Sequence, residues 1–479
     1  MTTAAFILIV LGLFMGALTL YQGYRGTVDI LSVRNLFLLS FAVFQITSAL
    51  FAIITQEWHE YPLTTPTKTV WVFTMSSVVF MAVFLIVYQW GPIAKSLARR
   101  VPGEDASPST GSLLILAGVI LGGGIVFKTM LVYVPVFGPL SDLIGGGLIA
   151  LAAGLATWAW APRLFNPVVA AYAGGIIAVA LATSLVGVYG RRDLLAVVGS
   201  SAWGLYHAWW KHGGFGYSMK RFAVAGGAGL LLVAGYTSVR NHRLTEAGVG
   251  EIVRALAGAD YRAGLMDLAH GQYAANISMW IIDTRPEGYD YDTLHSLRFG
   301  STAIIPRTHY PPVLGEKPVG LGLMIPQQIQ LRGKTKGFNV GPGMIGHIYN
   351  DNPWLALWLY PAIFALGIRF IDEAVRSRYY SPFIILPVGA GLGELAGLAR
   401  GEIGLFAFNA TMGILSAYGA MVVIRFVLSQ FGWRPVYDEG PDWFDEHNPW
   451  GGDEGEHPEA YADEYGDADS DSDADVRAA

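Results

Sequence analysis

The chain has 479 residues, of which 53% are hydrophobic and 14% charged, against the roughly 25% charged expected of a soluble domain. It contains no cysteine, which excludes disulfides, thiolate metal sites and thiol chemistry. The formal charge of -6 misleads, because acidic residues crowd the segment after Tyr437 and only Arg477 opposes them there. Without that segment the chain is net positive, and nothing in its pattern points to nucleic acid.

Apolar runs of about 17 to 22 residues, long enough to cross a bilayer core, fall near 4–22, 35–54, 70–89, 112–134, 142–161, 167–187, 193–210 and 222–238, then 354–370, 381–398 and 402–428. The expected fold is an all-α polytopic membrane protein with about eleven spans. Membrane helices one to eight occupy 1–240, a polar insertion 241–353, helices nine to eleven 354–428, and an acidic tail 429–479. The first run lacks a basic start and a small-residue cleavage site, so it reads as a retained helix. Glycine clusters such as Gly145-Gly146-Gly147 and the pair Gly226-Gly227 suit close helix packing.

Orientation follows from short connections rich in Lys and Arg. Arg25 and Arg34, then Lys95, Arg99 and Arg100, then Arg163, then Lys211, Lys220 and Arg221, then Arg376 and Arg378 occupy alternate loops. Those loops are expected on the cytoplasmic side, which places the amino terminus and the insertion outside and the acidic tail inside. Arg191, Arg192 and Arg400 then fall on the outer side, against the charge rule. A short charged loop tolerated there is one account; an anionic ligand is the other, because the guanidinium fork pairs bidentately with phosphate.

Early in the insertion, Ile252, Val253, Leu256, Leu265, Met266 and Leu268 are spaced for amphipathic helices lying on or near the membrane. Beyond them, Pro306, Pro311, Pro312, Pro318, Pro326 and Pro342 forbid one continuous helix. Trp280, Tyr289 and Phe299 supply apolar material for an ordered irregular loop folded over a cavity. The triplet Asp290-Tyr291-Asp292 has metal-binding spacing but arises readily in acidic loops. Glu394 lies inside an apolar run, where a carboxylate is costly; a bend at Gly397 would pair it with Arg400. His207, Trp209 and Trp210 read as an interfacial belt. The tail from Asp438 is too polar to offset the entropy of ordering and is expected to be disordered.

The string AIIPRTHYPPVLGEKP, followed by GPGMIGHIYNDNPWLALWLYPAIFALG leading into a span, resembles the large external loop of bacterial oligosaccharide repeat-unit polymerases, the O-antigen polymerases, which are related to the O-antigen ligases. The matching motifs cover about a quarter of the chain. His347 stands where family members often carry glutamate. The resemblance implies a GT-C-like, metal-independent inverting glycosyltransferase of the bacterial inner membrane, needing no cofactor. It would join glycans carried on undecaprenyl pyrophosphate, with a flippase and a chain-length regulator as partners. Ligase-type transfer and a lipid-oligosaccharide flippase or other transporter are the alternatives.

Such a reaction needs positive charge at the leaving pyrophosphate, a base for the acceptor hydroxyl and a lipid-open groove. Carried over by position, Arg191 and Arg192 are assigned to pyrophosphate, with Arg307 and Arg400 as further candidates; Arg307 has a second reading, an ion pair with Glu316. His347 is the candidate base, since a neutral imidazole accepts a proton near pH 7. Asp351 is the fallback base, and also reads as part of a cap for the next helix. His309, Lys317 and Tyr349 are candidates to bind sugar hydroxyls or phosphate.

Overall fold

The structure is a computed structural model that describes residues 1–58, 61–101, 108–134, 137–184, 191–239, 257–329, 339–378 and 381–432, together with Arg254. The acidic tail beyond Gly432 and the stretch carrying Ile252, Val253 and Leu256 lie outside the described residues; the first two positions assigned to the tail, Ser429 and Gln430, instead end the last helix. Among those described, the chain is helical and forms no strand. Eight helices among the described residues are long and apolar enough to cross a membrane.

The first helices are α1 (Thr2–Tyr24), α2 (Val33–Phe41), α3 (Ser48–Thr55), α4 (Pro66–Gln89) and the short α5 (Pro92–Ala98). A π-helical turn, Ala42–Thr47, joins α2 to α3. It widens the helix where two polar side chains leave it: Gln45 Nε2 donates to the Ala399 carbonyl at 2.7 Å and Ser48 Oγ to the His270 carbonyl at 2.7 Å. Insertions of this kind cluster at functional segments.

Next come α6 (Thr110–Thr129), α7 (Gly138–Trp160), α8 (Pro167–Ser184), α9 (Arg191–Ala208) and α10 (Gly214–Val239). Helix α7 is the hub, packing on α6, α8 and α9, and its sequence GGGLIALAAGLA explains why. A Cβ on Gly145 would stand 3.0 Å from the Gly124 carbonyl oxygen, and one on Gly204 would stand 2.6 Å from that of Gly154. Small residues on both partners therefore let the backbones touch, the form of association available where lipid removes the hydrophobic drive. By contrast, a Cβ on Gly226 or Gly227 meets no neighbour, so the packing role expected of that pair is not borne out among the described residues.

The insertion contributes α11 (Tyr261–Ala269), α12 (Ala274–Thr284), α13 (His295–Ser301), α14 (Leu321–Gln328) and α15 (Met344–Asn350). Leu265, Met266 and Leu268 fall on α11, as their spacing predicts. Helix α12 departs from the amphipathic expectation: Ala274 through Ile282 are all buried, because α4 covers one side and α15 another. The chain closes with α16 (Pro353–Ser377), α17 (Pro382–Gly397) and α18 (Ile403–Gln430).

Connections that alternate in sequence meet at common ends. At one end, Lys211 pairs with Asp29 at 3.0 Å, and Asp372 accepts from the Val33 and Arg34 amides and from the Tyr88 hydroxyl. These are the connections whose basic residues set the expected orientation. The insertion packs at the opposite end, anchored by Asp283, which accepts from Thr65 N at 3.1 Å, Thr65 Oγ1 at 2.7 Å and Thr69 Oγ1 at 2.8 Å, as well as from Thr64. Asp283 thereby ties the residues that lead into α4 to a distant part of the chain. Partial burial opposes its charge, yet the donors from Thr65 and Thr64 outweigh that and hold the carboxyl at about 2. Asp283→Ala is expected to cost about 1 kcal/mol for the lost hydrogen bonds, read as a lower Tm. Because the carboxyl is depressed from 3.8 to about 2, this contribution is full above that window and disappears as pH falls through it.

Candidate functional site

The residues that converge at the insertion end come from α13, α15 and the turn between α17 and α18. Arg400 and Ala399 in that turn accept, through their carbonyls, from the Gly343 amide at 2.8 Å and the Met344 amide at 3.0 Å. Gly343 has φ of +73°, a conformation that glycine alone adopts without strain, and it starts α15 with His347 facing the turn. Ser278 Oγ closes the same junction by donating to the Pro342 carbonyl at 2.8 Å.

His347 is 0% exposed. Its Nδ1 is 2.7 Å from Ser296 Oγ and its Nε2 is 3.6 Å from Glu402 Oε2. Neither Nε2 nor that carboxyl oxygen has a well-formed hydrogen bond, and the two atoms face each other, with the Gly401 backbone also acting on the imidazole. The second carboxyl oxygen of Glu402 accepts from the Gly322 amide. Desolvation pushes the His347 imidazole down to about 3, with His295 adding to the effect. Desolvation also pushes Glu402 up to about 8, only partly offset by the Gly322 amide. Near pH 7 the pair is therefore a neutral imidazole beside a protonated carboxyl. Glu402 is 4% exposed and was not singled out in the sequence. Its signal was available: it is a carboxylate opening an apolar run, two residues after an arginine already marked as out of place.

Asp351 is buried and fully engaged. It accepts from the Ser296 amide at 2.6 Å, from Asn350 Nδ2 at 3.0 Å and from the Tyr360 hydroxyl. Burial raises its carboxyl above the ordinary range, against these donors. The helix-cap reading is corrected: Asn352 occupies the cap position of α16 with no side-chain cap bond, while Asp351 instead fastens α13 to α16. Ser296 touches Asp351 through its amide and His347 through its hydroxyl, so Asp351 positions the serine on which the histidine rests.

The predicted arginines are only partly brought together. Arg192 lies 3.6 Å from Glu394 and its guanidinium stacks over Phe406 at 4.1 Å. This corrects the expected Glu394–Arg400 pair: Glu394 turns to Arg192 and Asn409, the latter at 3.4 Å, because α17 packs on α9 and α18. The side chain of Arg191 lies outside the described residues. Arg400 sits beside Gly341, its Nε 3.4 Å from where a Cβ would be. Arg307 and His309 form an exposed turn, with His309 Nδ1 2.9 Å from Thr308. Lys317 Nζ donates to the Ile305 carbonyl at 2.6 Å, and the Tyr349 hydroxyl is 3.0 Å from Ser76 Oγ. His207 is core and not a belt residue, packed between Trp203 and Tyr206. In Asp290-Tyr291-Asp292, Asp292 is taken by His295 at 2.6 Å and by Arg298.

Fold and site together define an all-α, multi-pass membrane protein with a buried carboxyl–imidazole–hydroxyl array at one end of its helices. Searches against family models, curated proteins and solved structures gave no match to this chain.

Proposed function

We propose that the chain is an inverting membrane glycosyltransferase that polymerises oligosaccharide repeat units carried on undecaprenyl pyrophosphate. In this reading α9, α10 and α17 join the eight helices already noted to give eleven spans, with the insertion facing the periplasm and the tail the cytoplasm. The observation that carries the proposal is the array Glu402–His347–Ser296, buried at the end of the molecule where Arg192 and Arg400 also lie. The Ile-Pro-Arg and Gly-rich motifs on the same insertion add the family resemblance.

The acceptor hydroxyl oxygen attacks the anomeric carbon of the donor while the bond from that carbon to pyrophosphate breaks. The lipid pyrophosphate leaves with the bond's electron pair, and configuration inverts. The hydroxyl proton passes to the Glu402–His347 pair, which accepts it once Glu402 is ionised. Arg192, Arg191 and Arg400 hold the departing diphosphate, whose charge grows as the bond breaks. Arg307, His309, Lys317 and Tyr349 are assigned to the glycan and its phosphates.

The test is purified protein incubated with lipid-linked repeat units and EDTA. A ladder of products is expected. Movement of intact substrate across a vesicle without elongation would replace this reading with transport, and a single transfer to a different lipid acceptor would replace it with ligation. Arg192→Gln is expected to slow laddering by roughly 10²-fold, the scale of one lost charge-stabilising donor, while Arg192→Lys recovers part of the rate.

A further inference from the structure

Arg285 ends α12 and is 6% exposed, yet its Nε and Nη1 have no hydrogen-bond partner and no ion pair reaches it among the described residues. A buried guanidinium without a counter-charge is costly. The carboxylates whose field it feels, Asp351 and Asp292, are both committed elsewhere: Asp351 to Ser296, Asn350 and Tyr360, and Asp292 to His295 and Arg298. Desolvation brings the guanidinium down to about 10, so it stays charged at neutral pH.

One contact is defined. The guanidinium carbon lies 5.6 Å from the centre of the Tyr289 ring, and Trp280 packs 6.2 Å from the same ring. At the other end of Tyr289, the hydroxyl donates to the Gln328 carbonyl at 3.2 Å. The side-chain Oε1 of Gln328 is buried and has no donor. An arginine with two unpartnered N–H groups and a glutamine with an unpartnered side-chain oxygen therefore both contact one tyrosine, which itself packs on a tryptophan.

We propose that Arg285, Tyr289 and Gln328 form a binding site for a sugar bearing an oxyanion, either a uronate or a sugar phosphate. The oxyanion takes a free N–H of Arg285 in a charge-assisted hydrogen bond. A ring hydroxyl donates to Gln328 Oε1. The site deepens the transferase reading by naming a class of sugar, and it is measured by binding alone. Laddering that fails while Arg285-dependent binding holds counts against transfer only; binding that fails while laddering holds overturns this site only.

The experiment is thermal unfolding and equilibrium binding of the full chain in detergent, with glucuronate, glucose 1-phosphate, glucose and inorganic phosphate as probes. Both acidic sugars are expected to raise Tm and to bind the wild type more tightly than glucose or phosphate; comparing them tells which oxyanion the site prefers. Arg285→Met should weaken their binding by about tenfold or more, the scale of a lost charged hydrogen bond, and Arg285→Lys by less. Gln328→Leu should weaken both sugars and leave phosphate unchanged. Without ligand, Arg285→Met is expected to leave Tm unchanged or higher, because it removes an uncompensated charge; a marked fall would assign Arg285 a structural partner and overturn the site. So would equal responses of wild type and Arg285→Met to the acidic sugars, or glucose binding as well as they do.

Discussion

Glu402→Gln is expected to lower the transfer rate by about 10²–10⁴-fold, the range for loss of a general base, and to remove a rise in rate with pH. In the wild type Glu402 is pushed up to about 8, so the proton-accepting form of the Glu402–His347 pair accumulates as pH rises through that value. Laddering rates measured from pH 6 to 9, a range spanning roughly the ordinary His and Cys values, would show this limb in wild type and Glu402→Asp but not in Glu402→Gln. Full activity and an unchanged profile in Glu402→Gln would remove Glu402 from the chemistry.

Stability should respond separately. The folded protein retains a proton on Glu402 that the unfolded chain releases above its ordinary value of 4.5. That stabilising contribution is present at low pH and is lost as pH rises through about 8. His347 acts in the opposite direction. Its imidazole is depressed from 6.5 to about 3, so its contribution is present above that window and is lost as pH falls through it. Thermal unfolding of Glu402→Gln should therefore lose the fall in stability between pH 4.5 and about 8 and keep the one that His347 causes as pH drops from 6.5 to about 3.

Gly404→Val is expected to disable the site through the backbone. Helix α13 crosses the start of α18 so closely that a side-chain carbon at Gly404 would overlap the Ser296 carbonyl, and one at Gly300 would lie 2.6 Å from the Gly404 oxygen. Neither neighbour can yield by rotating a side chain, since both are main chain. Overpacking of this kind costs about 1–3 kcal/mol. The displaced residue here is Ser296, which rests its hydroxyl on His347 and its amide on Asp351. A lower Tm and loss of laddering are expected, graded from Ala to Val. A Gly404→Val protein with wild-type Tm and rate would show that the crossing has room the geometry denies.

Much of the helical order was legible from the chain alone. Long apolar runs have one solution in lipid, because every backbone group must bond within its own segment. Helices α1, α4, α6 and α16 accordingly fall where the runs place them. The insertion was harder to read. Its polar composition suggested surface helices, yet AANISMWII is buried on every side as α12, because α4 and α15 supply neighbours from distant parts of the chain. Periodicity reports one exposed face and one hidden face; it has no signal for a short helix enclosed by others.

What the amino-acid order determined by itself was the class of molecule, the position of the polar insertion and the candidacy of His347, whose place just before a long apolar run was readable. What only the tertiary structure decided was partnership. Glu394 lies six residues from Arg400 in sequence but pairs with Arg192 through the packing of α9 on α17. Glu402 faces His347 from 55 positions further along the chain, and Arg285 is left without the carboxylates that charge counting would have offered it. Local sequence sets which groups are costly to bury; the crossing of helices sets which of those groups can satisfy one another, since a hydrogen bond depends on separations of a few tenths of an ångström that no spacing along the chain encodes.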